Sequence, residues 1–295
     1  MKISVLTPTY NRANLLERLY KSLVQNSNFG VEIEWLIMDD GSKNPPKDIV
    51  ENFINEKKIQ IKYFEQENKG KMKAINNLVK KATGDLIVDC DDDDYFTENA
   101  FEIIKKSFEE SANEKDVYAM CFLKYNQNKE NMGKLFKNTK TTMFDLYFKE
   151  GEDGEKALVF FSKIRKKYKH ELVNNEKFVT EARMYHKMDL NYKMICINEP
   201  IMICEYQKEG YTKNIVNEFK QNPLGYYEYF KEIFEHNMKG VTFSKRLYVI
   251  KHFILFTYLT KKKKSFKNVK GFLNKLLYVL LYLPGITKTR KKFDK

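Results

Sequence analysis

Apolar runs and polar turns alternate along the first half of the chain, and this pattern predicts strands and helices in turn. Residues 3–6 form a short apolar run typical of a buried strand, and leucines repeat at helical spacing within residues 15–23. Further strands are predicted at 35–38, 59–64 and 86–90, with helices at 46–55, 72–82 and 98–109. Gly84 is expected to cap the helix at 72–82. The alternation predicts an α/β fold with a parallel, doubly wound sheet.

The second half of the chain has a less regular pattern. It predicts a strand at 117–123, a mixed polar stretch at 126–154, helices at 156–167 and 176–188, and strands at 193–197 and 201–206. Residues 244–260 and 266–283 are aromatic, aliphatic and rich in lysine, and they predict two helices joined by the run Lys261-Lys262-Lys263-Lys264.

Polar loops directly follow three of the predicted strands, at residues 7–11, 39–42 and 91–94. The carboxyl ends of parallel strands lie at one edge of a sheet, and ligands of such sheets bind beyond that edge. We therefore expect the three loops to share one crevice.

The third of these loops consists of four consecutive carboxylates, Asp91-Asp92-Asp93-Asp94. Like charges packed this closely are costly unless a cation or solvent relieves them. Hard oxygen ligands at the end of a strand suit Mg²⁺ or Mn²⁺, particularly where a phosphorylated ligand supplies further oxygens. An acidic surface turn is the alternative that this loop alone leaves open.

The positive charge of the chain is confined to its C-terminal end. The formal net charge is +13, but residues 240–295 hold fifteen Lys and Arg and a single acid, so the preceding residues are nearly neutral. Hydrophobic residues make up 42% of the chain, which indicates a folded protein. Because the excess positive charge lies in residues 240–295, we expect this tail, and not the rest of the chain, to contact an anionic surface.

The cysteines and the apolar segments indicate the compartment. Cys90, Cys121, Cys196 and Cys204 lack metal-type spacing and are expected to be buried free thiols in a reducing compartment. The chain enters a strand at its first residues, so we expect no signal peptide. No apolar run reaches the roughly 20 residues that span a bilayer. A cytoplasmic protein is expected.

Four segments of the first half, taken together, resemble the inverting nucleotide-sugar glycosyltransferases of family 2. They are Thr7-Pro8-Thr9-Tyr10-Asn11, Met38-Asp39-Asp40-Gly41-Ser42, Asn68-Lys69-Gly70-Lys71, and Gly84-Asp85 leading into the acidic run. Their order and spacing match that family over the first 125 residues. The resemblance implies the GT-A fold, a Rossmann-like mixed and mainly parallel sheet flanked by helices. It also implies a nucleotide-sugar half at 1–125 and an acceptor half at 126–239, followed by the basic helical tail at 240–295.

The resemblance assigns roles to residues in these segments. Asp91 and Asp93 take the outer positions of the family's DxD element, and Asp92 takes the middle one. Asp89, two residues before Asp91 on the preceding strand, could be mistaken for a metal ligand of that element. Asp93, with Asp91, would hold Mn²⁺ or Mg²⁺, and Asp91 and Asp92 would contact the nucleotide sugar. Contacts of four more residues are implied at the donor base and diphosphate. These are Asp40 to the base, Pro8 and Tyr10 flanking it, and Lys71 near the diphosphate, with an exposed lysine as the alternative for Lys71.

The catalytic base is less clearly marked, because the Glu-Asp pair usual in the family is missing from the matching region. Counting back from Tyr192 favours Glu181 as the base, with Glu176 as the alternative. A carboxylate in this role deprotonates the acceptor hydroxyl. His170 and His186 lie in lysine-rich surroundings and are expected at the surface.

The resemblance implies a metal-dependent enzyme of the hexosyl or N-acetylhexosaminyl transferase class. It would move a sugar from a UDP-sugar to a glycan or lipid-linked acceptor in capsule or lipopolysaccharide synthesis. The alternatives are a catalytically degenerate nucleotide-sugar-binding domain and a sugar nucleotidyltransferase, although residues 7–12 lack the glycines of a nucleotidyltransferase phosphate loop.

The basic tail predicts a peripheral position on the inner face of the cell membrane. Basic amphipathic helices bind anionic membrane surfaces through apolar insertion and lysine attraction. Packing of the tail on the catalytic domain is the alternative. Nucleic acid is disfavoured as a partner, since no basic loop or stacking groove is evident.

Overall fold

The computed structural model describes residues 1–111, 113–205 and 215–293. They form two compact units. The first unit comprises the described residues of 1–142, 152–169 and 191–205. The second unit comprises 143–151, 170–190 and 215–293.

The strands of the first unit form a single mixed sheet. They are β1 (Lys2–Thr9), β2 (Glu32–Asp39), β3 (Gln60–Glu65), β4 (Leu86–Asp89), β5 (Tyr95–Phe96), β6 (Val117–Tyr125), β7 (Lys140–Thr141), β8 (Lys156–Phe161) and β9 (Lys193–Ile203). The order across the sheet is β3-β2-β1-β4-β8-β6-β9-β5, and β7 pairs with β9 outside that order.

Helices of the first unit connect these strands. They are α1 (Leu16–Asn26), α2 (Lys47–Asn55), α3 (Lys71–Lys81), α4 (Ala100–Glu110) and α6 (Ser162–Arg165), together with short 3-10 turns at Ala13–Leu15 and Ser27–Phe29. Those of the second unit are α5 (Met143–Phe148), α7 (Ala182–Asp189), α8 (Ile215–Gln221), α9 (Pro223–Glu232), α10 (Phe243–Leu259) and α11 (Phe272–Phe293), with 3-10 turns at Ile233–Glu235 and Ser265–Asn268.

The parallel part of the sheet is the part that the sequence pattern predicted. β1 pairs in parallel with β2 on one side and with β4 on the other, and β2 pairs in parallel with β3. Both faces of β1 are covered, since its residues from Ile3 to Thr9 are buried, as expected of a parallel strand between helical layers. Three polar loops therefore begin at one edge, where β1, β2 and β4 end.

The prediction of a helix at 156–167 is wrong. Residues Lys156–Phe161 form β8, which pairs antiparallel with both β4 and β6, and only Ser162–Arg165 is helical. A short apolar run fits a buried strand and a buried helix equally, so pairing with distant strands decides its conformation. The helix predicted at 176–188 is shorter, Ala182–Asp189. The two strands predicted at 193–197 and 201–206 are one strand, β9, and Tyr206 lies outside the described residues.

Gly84 does not cap α3, contrary to the prediction. The C-cap of α3 is Ala82, in an extended conformation, and Gly84 is absent from the left-handed residues of the described chain. A Cβ on Gly84 would lie 2.7 Å from the amide nitrogen of Ser4 and 2.8 Å from the carbonyl oxygen of Lys2. The glycine is needed because the chain passes against β1 before it enters β4.

The core of the first unit is apolar and partly aromatic. Trp35, on β2, is fully buried, and Tyr20 and Phe53 stack face to face beside it with 4.2 Å between their centroids. The indole nitrogen of Trp35 donates to Thr7 Oγ1 at 2.9 Å, so its single polar atom is satisfied. All cysteines are buried free thiols, as predicted.

The C-terminal helices pack within the core of the second unit. Val249, Ile250, Phe253 and Ile254 on α10 are fully buried. Phe253 contacts Tyr278 on α11, with ring centroids 6.0 Å apart. The helix predicted at 244–260 is confirmed as α10, and the one predicted at 266–283 begins later and extends to Phe293. Among the helices of the described residues, none is long and apolar enough to cross a membrane.

Candidate functional site

The loops that follow β1 and β2 are joined by hydrogen bonds. The amide of Asn11 donates to Ser42 Oγ at 2.7 Å, and the amide of Lys43 donates to Asn11 Oδ1 at 2.8 Å. Asn11 adopts a left-handed conformation with φ 56°, which asparagine tolerates better than most residues. The turn after β1 is therefore fixed against the turn after β2.

Asp40 links the second loop to the start of α3. Its carboxylate accepts hydrogen bonds from Gln66 Nε2 at 2.7 Å, from the amide of Lys69 at 2.9 Å and from the amide of Gly70 at 2.8 Å. The side chain is buried. A carboxylate at the N-terminus of a helix is stabilised by the helix dipole and by unpaired amides. Asp40 therefore shapes the loop before Lys71, and its contact with the donor base stays a prediction.

The four aspartates after β4 alternate between open and buried environments. The side chain of Asp91 is 40% exposed and that of Asp93 18%, whereas those of Asp92 and Asp94 are 5% and 4% exposed. Asp92 Oδ2 accepts from Thr9 Oγ1 at 2.8 Å, and Asp94 Oδ2 lies 2.7 Å from Lys124 Nζ. The two accessible carboxylates are thus the ones in the outer positions of the predicted DxD element.

Basic side chains contact both accessible carboxylates. Lys71 Nζ lies 2.7 Å from Asp91 Oδ2. Arg12 Nη1 lies 3.2 Å from Asp93 Oδ2 and 3.3 Å from Asp92 Oδ1. With the contacts through Asn11 and Asp40, these pairs join the loops after β1, β2 and β4 and the start of α3 into one ring of polar groups.

Burial and mutual repulsion raise the pKa values of two of the aspartates. The pKa of Asp92 rises to about 7, mainly because its carboxyl is buried. The pKa of Asp93 rises to about 6 through burial and through the charges of Asp91 and Asp94. Burial and the neighbouring carboxylates both disfavour the ionised forms of Asp92 and Asp93, and added positive charge would lower the two pKa values.

The acidic run fits a divalent cation that also binds phosphate. In the described residues, no group of three or more His, Cys, Asp or Glu side chains is placed to hold a metal ion. Mg²⁺ at phosphate-binding sites needs only one or two carboxylates, because water and phosphate oxygens supply the remaining ligands. Asp91 and Asp93 present such hard oxygens at the edge of the sheet.

Pro8 and Tyr10 lie at the end of β1 and just beyond it. Pro8 is buried in β1, in register with Met38 of β2, and Tyr10 is 44% exposed. An exposed tyrosine ring beside Asn11 and the loop of Ser42 is available for stacking on a flat ligand. The predicted roles of both residues remain predictions.

Arg12, Thr9 and Lys124 contact the acidic run but were missed by the sequence analysis. Arg12 and Thr9 lie in or next to the polar loop after β1, so that loop was the signal that could have found them. Lys124 gave a weaker signal, since the sequence shows only a lysine at the end of an apolar strand. In the structure its side chain is 13% exposed. Its pairing with Asp94 depends on the position of β6 in the sheet, which the sequence pattern does not specify.

The two candidate bases, Glu176 and Glu181, both lie in the second unit. Glu176 Oε1 accepts from the amide of Leu224 at 2.7 Å, and Oε2 accepts from the amide of Gly225 at 2.6 Å. Both amides belong to the first turn of α9, so Glu176 caps that helix. Glu181 is half-buried and immediately precedes α7. The capping role argues against Glu176 as the base, and the role predicted for Glu181 remains a prediction.

The prediction that His170 and His186 lie at the surface is wrong. Both are buried, with 2% and 5% exposure. The His186 ring packs edge-on against Phe144 and Phe148 and stacks on Tyr229, because α7 turns this side towards the core of the second unit. Lys187 follows His186 in α7 and so points to a different side of the helix, which is why a neighbouring lysine does not imply an exposed histidine there.

The chain matches a family model and several curated proteins. The model described as glycosyl transferase family 2 matches residues 4–180, well over half of the chain. A GalNAc(5)-diNAcBac-PP-undecaprenol beta-1,3-glucosyltransferase of Campylobacter jejuni is 27% identical over 97% of this chain and 91% of its own length. An uncharacterized glycosyltransferase of Mycoplasma genitalium is 26% identical over 79% of this chain and 71% of its own length.

Solved structures have a similar fold. S. aureus TarS 1–349 in complex with UDP-GlcNAc matches with a TM-score of 0.63 at 16% identity, over 100% of this chain and 92% of that one. The mannosyltransferase PcManGT of Pyrobaculum calidifontis, in complex with GDP-Man and Mn²⁺, matches with a TM-score of 0.58 at 16% identity, over 99% of this chain and 87% of that one. At these identities the likeness concerns the fold, which is the predicted GT-A fold.

Proposed function

The chain belongs to glycosyl transferase family 2, and from that premise we propose that it transfers a sugar with inversion from a nucleotide sugar to a glycan or lipid-linked acceptor. A UDP-sugar is the proposed donor, and synthesis of a surface polysaccharide, in a capsule or lipopolysaccharide, is the proposed role. The ring of polar groups around Asp40, Lys71, Asp91 and Asp93 carries this proposal. The named relative from Campylobacter jejuni, whose name indicates an undecaprenol-linked acceptor, supports the acceptor class.

The proposed donor site uses the loops after β1, β2 and β4. Tyr10 stacks on the base, next to Pro8, and Asp40 accepts from the base as well as from the loop before α3. Lys71 stands at the first position of α3, where an ammonium and the helix N-terminus both attract a diphosphate. Asp92, held by Thr9, fixes the turn that presents Asp91 and Asp93.

Asp93 and Asp91 are the proposed ligands of Mn²⁺ or Mg²⁺. A bound divalent cation would neutralise the negative charge that the leaving nucleoside diphosphate acquires. Support comes from the accessibility of these two carboxylates and from the raised pKa of Asp93, about 6. Lys71 and Arg12 bring further positive charge to the same edge of the sheet.

Glu181 is the proposed general base. Its carboxylate would take the proton of the acceptor hydroxyl as that oxygen attacks the anomeric carbon and the diphosphate leaves from the opposite face. Glu176, the alternative, already accepts two backbone hydrogen bonds that favour its role as a cap of α9. A degenerate, sugar-binding domain is the second candidate function, because the Glu-Asp pair usual at this position is replaced.

The proposed place of action is the cytoplasmic face of an anionic membrane, reached through α11. Its outward side carries a continuous apolar stripe of exposed side chains at helical spacing, namely Phe272, Leu276, Val279, Leu280 and Leu283. Exposed basic residues lie before, within and after this stripe, at Lys270, Lys275, Lys288, Arg290, Lys291 and Lys292. Apolar insertion combined with lysine attraction fits an anionic lipid surface. α10, by contrast, is packed in the core.

A panel of nucleotide sugars tests the proposed activity. Hydrolysis or transfer is measured with Mn²⁺, with Mg²⁺ and with a chelator, for the wild type and for Asp93→Asn. Asp48→Asn, an exposed acid at the start of α2, is the control. Activity with at least one UDP-sugar that is lost with the chelator and in Asp93→Asn, but kept in Asp48→Asn, is expected. Equal activity with the chelator, or in Asp93→Asn, would contradict the metal assignment.

A further inference from the structure

Arg12 forms an ion pair with the carboxylate of Asp93, which is one of the two proposed metal ligands. A single guanidinium nitrogen, Nη1, lies 3.2 Å from Asp93 Oδ2 and 3.3 Å from Asp92 Oδ1. Asp92 is also held by Thr9, so it is fixed on its buried side. The Arg12 side chain is 31% exposed and therefore has space on the solvent side of the acidic run. A cation that ligated Asp93 through Oδ2 would have to displace the Arg12 guanidinium from that oxygen.

The basic side chains at the acidic run balance its charge only in part. Lys71 pairs with Asp91, Lys124 with both Asp94 and Glu155, and Arg12 with Asp92 and Asp93. A divalent cation added alone at Asp93 would lie close to the guanidinium of Arg12, and the two positive charges would repel each other. A donor diphosphate adds negative charge at the same place and would reduce this repulsion.

We infer that Arg12 acts as the internal counter-ion of Asp93, so that a divalent cation binds strongly only together with the donor diphosphate. This inference rests on the proposed function. In the absence of donor, Arg12 neutralises Asp93 and opposes the metal. With donor bound, the diphosphate offers Arg12 an alternative anionic partner and Asp93 is released to the metal. Since coupling between two ligands is reciprocal, the metal strengthens donor binding by the same factor by which donor strengthens metal binding.

Mn²⁺ binding measured without catalysis tests the inference. Free Mn²⁺ is followed by electron paramagnetic resonance during titration of the full chain, with and without UDP. For the wild type we expect weak binding that UDP tightens about tenfold or more, a coupling of ordinary size. For Arg12→Gln we expect Mn²⁺ to bind about tenfold more tightly without UDP than to the wild type, since a nearby like charge has gone. The tightening by UDP should shrink accordingly.

Two further variants separate the role of Arg12 from a general loss of charge. Arg12→Lys keeps the positive charge and should keep weak metal binding without UDP. Arg18→Gln removes a guanidinium that donates at 2.8 Å to the backbone oxygen of Asp93 and not to its carboxylate. It should change metal affinity much less than Arg12→Gln. Circular dichroism checks folding, and Arg12→Met serves as a second neutral variant if Arg12→Gln does not fold.

The outcomes distinguish the inference from the proposed function. If the wild type binds Mn²⁺ with UDP and Arg12→Gln binds it no more tightly without UDP, the inference is overturned while the metal site stands. Wild-type binding that is equally tight with and without UDP also overturns it. If the wild type binds no Mn²⁺ even with UDP, the proposed metal site fails and the inference fails with it.

Discussion

The ammonium nitrogen of Lys71 lies 2.7 Å from Oδ2 of Asp91. The sequence suggested separate roles for the two residues, a diphosphate contact for Lys71 and a metal or sugar contact for Asp91. The structure joins the first position of α3 to the acidic run after β4 through this pair. A group that binds Lys71 therefore also changes the charge around Asp91, so the two proposed subsites are electrostatically connected.

Replacement of Lys71 is expected to weaken donor binding. Lys71→Met keeps the length and most of the apolar stem but removes the ammonium. A hydrogen bond to a charged group contributes about 1.5–3 kcal/mol, so the affinity for UDP should fall about tenfold to a hundredfold by calorimetry. Lys80→Met, on the exposed side near the end of the same helix, is the matched control and should bind UDP as the wild type does. Equal affinities in all three proteins would remove Lys71 from the donor site.

Glu181→Gln and Glu176→Gln are expected to fail in different ways. Glu181→Gln should lower kcat by about a hundredfold to ten-thousandfold, the usual contribution of a general base. Glu176→Gln weakens the cap of α9, because an amide has one acceptor oxygen for the amides of Leu224 and Gly225. We expect it to destabilise the protein by about 0.5–2 kcal/mol and to retain most of its kcat at low temperature. Activity assays and thermal unfolding of both variants make the comparison, and the reverse pattern would identify Glu176 as the base.

Acid is expected to destabilise the second unit through His186. Burial, with a smaller contribution from His236, lowers the pKa of His186 to about 3, whereas an unfolded histidine titrates near pH 6.5. Between these values the unfolded chain binds a proton that the folded chain does not. Through His186 alone, the free energy of unfolding therefore falls by about 1.4 kcal/mol for each pH unit below 6.5. Well above pH 6.5 His186 is neutral in both states and does not lower the stability of the protein.

The variant His186→Phe isolates this contribution. The phenylalanine ring can keep the contacts with Phe144 and Tyr229 and cannot be protonated. Urea unfolding at pH 7.5, 6.5, 5.5 and 5.0 should show a shallower loss of stability in the variant than in the wild type. The remaining slope is expected partly from His236, whose pKa is lowered to about 4. Parallel curves for the two proteins would show that His186 is not the titrating group.

The local sequence pattern predicted the parts of the fold whose conformation depends on nearby residues. β1, β2 and β4 and the loops at their ends follow from apolar runs that stop at polar residues, and these loops contain most of the proposed donor site. The failures have a non-local cause. Lys156–Phe161 is a strand because β4 and β6 flank it. Lys124 reaches Asp94 because β9 lies between β6 and β5, the strand that Asp94 directly precedes. Gly84 faces the backbone of β1, a contact that no helix-ending rule describes.

Charged replacements in the exposed stripe of α11 are expected to weaken binding to anionic vesicles. Leu280 is 62% exposed, and its full insertion would contribute about 1.5–3 kcal/mol. Leu280→Glu should therefore reduce partition into phosphatidylglycerol-containing vesicles by about tenfold to a hundredfold in a sedimentation assay. Leu135→Glu, a 58% exposed leucine of the first unit, is the matched control and should bind as the wild type does.

Point variants test the stripe better than removal of residues 240–295, because that deletion would also remove the buried side chains of α10, including Val249 and Phe253. Binding should weaken with added salt, since screening reduces the attraction between exposed lysines and anionic lipid. A stripe that instead joins two copies of the chain would give a dimer in solution that Leu280→Glu dissociates. Unchanged vesicle binding by Leu280→Glu, or such a dimer with no lipid binding, would exclude α11 as the membrane surface.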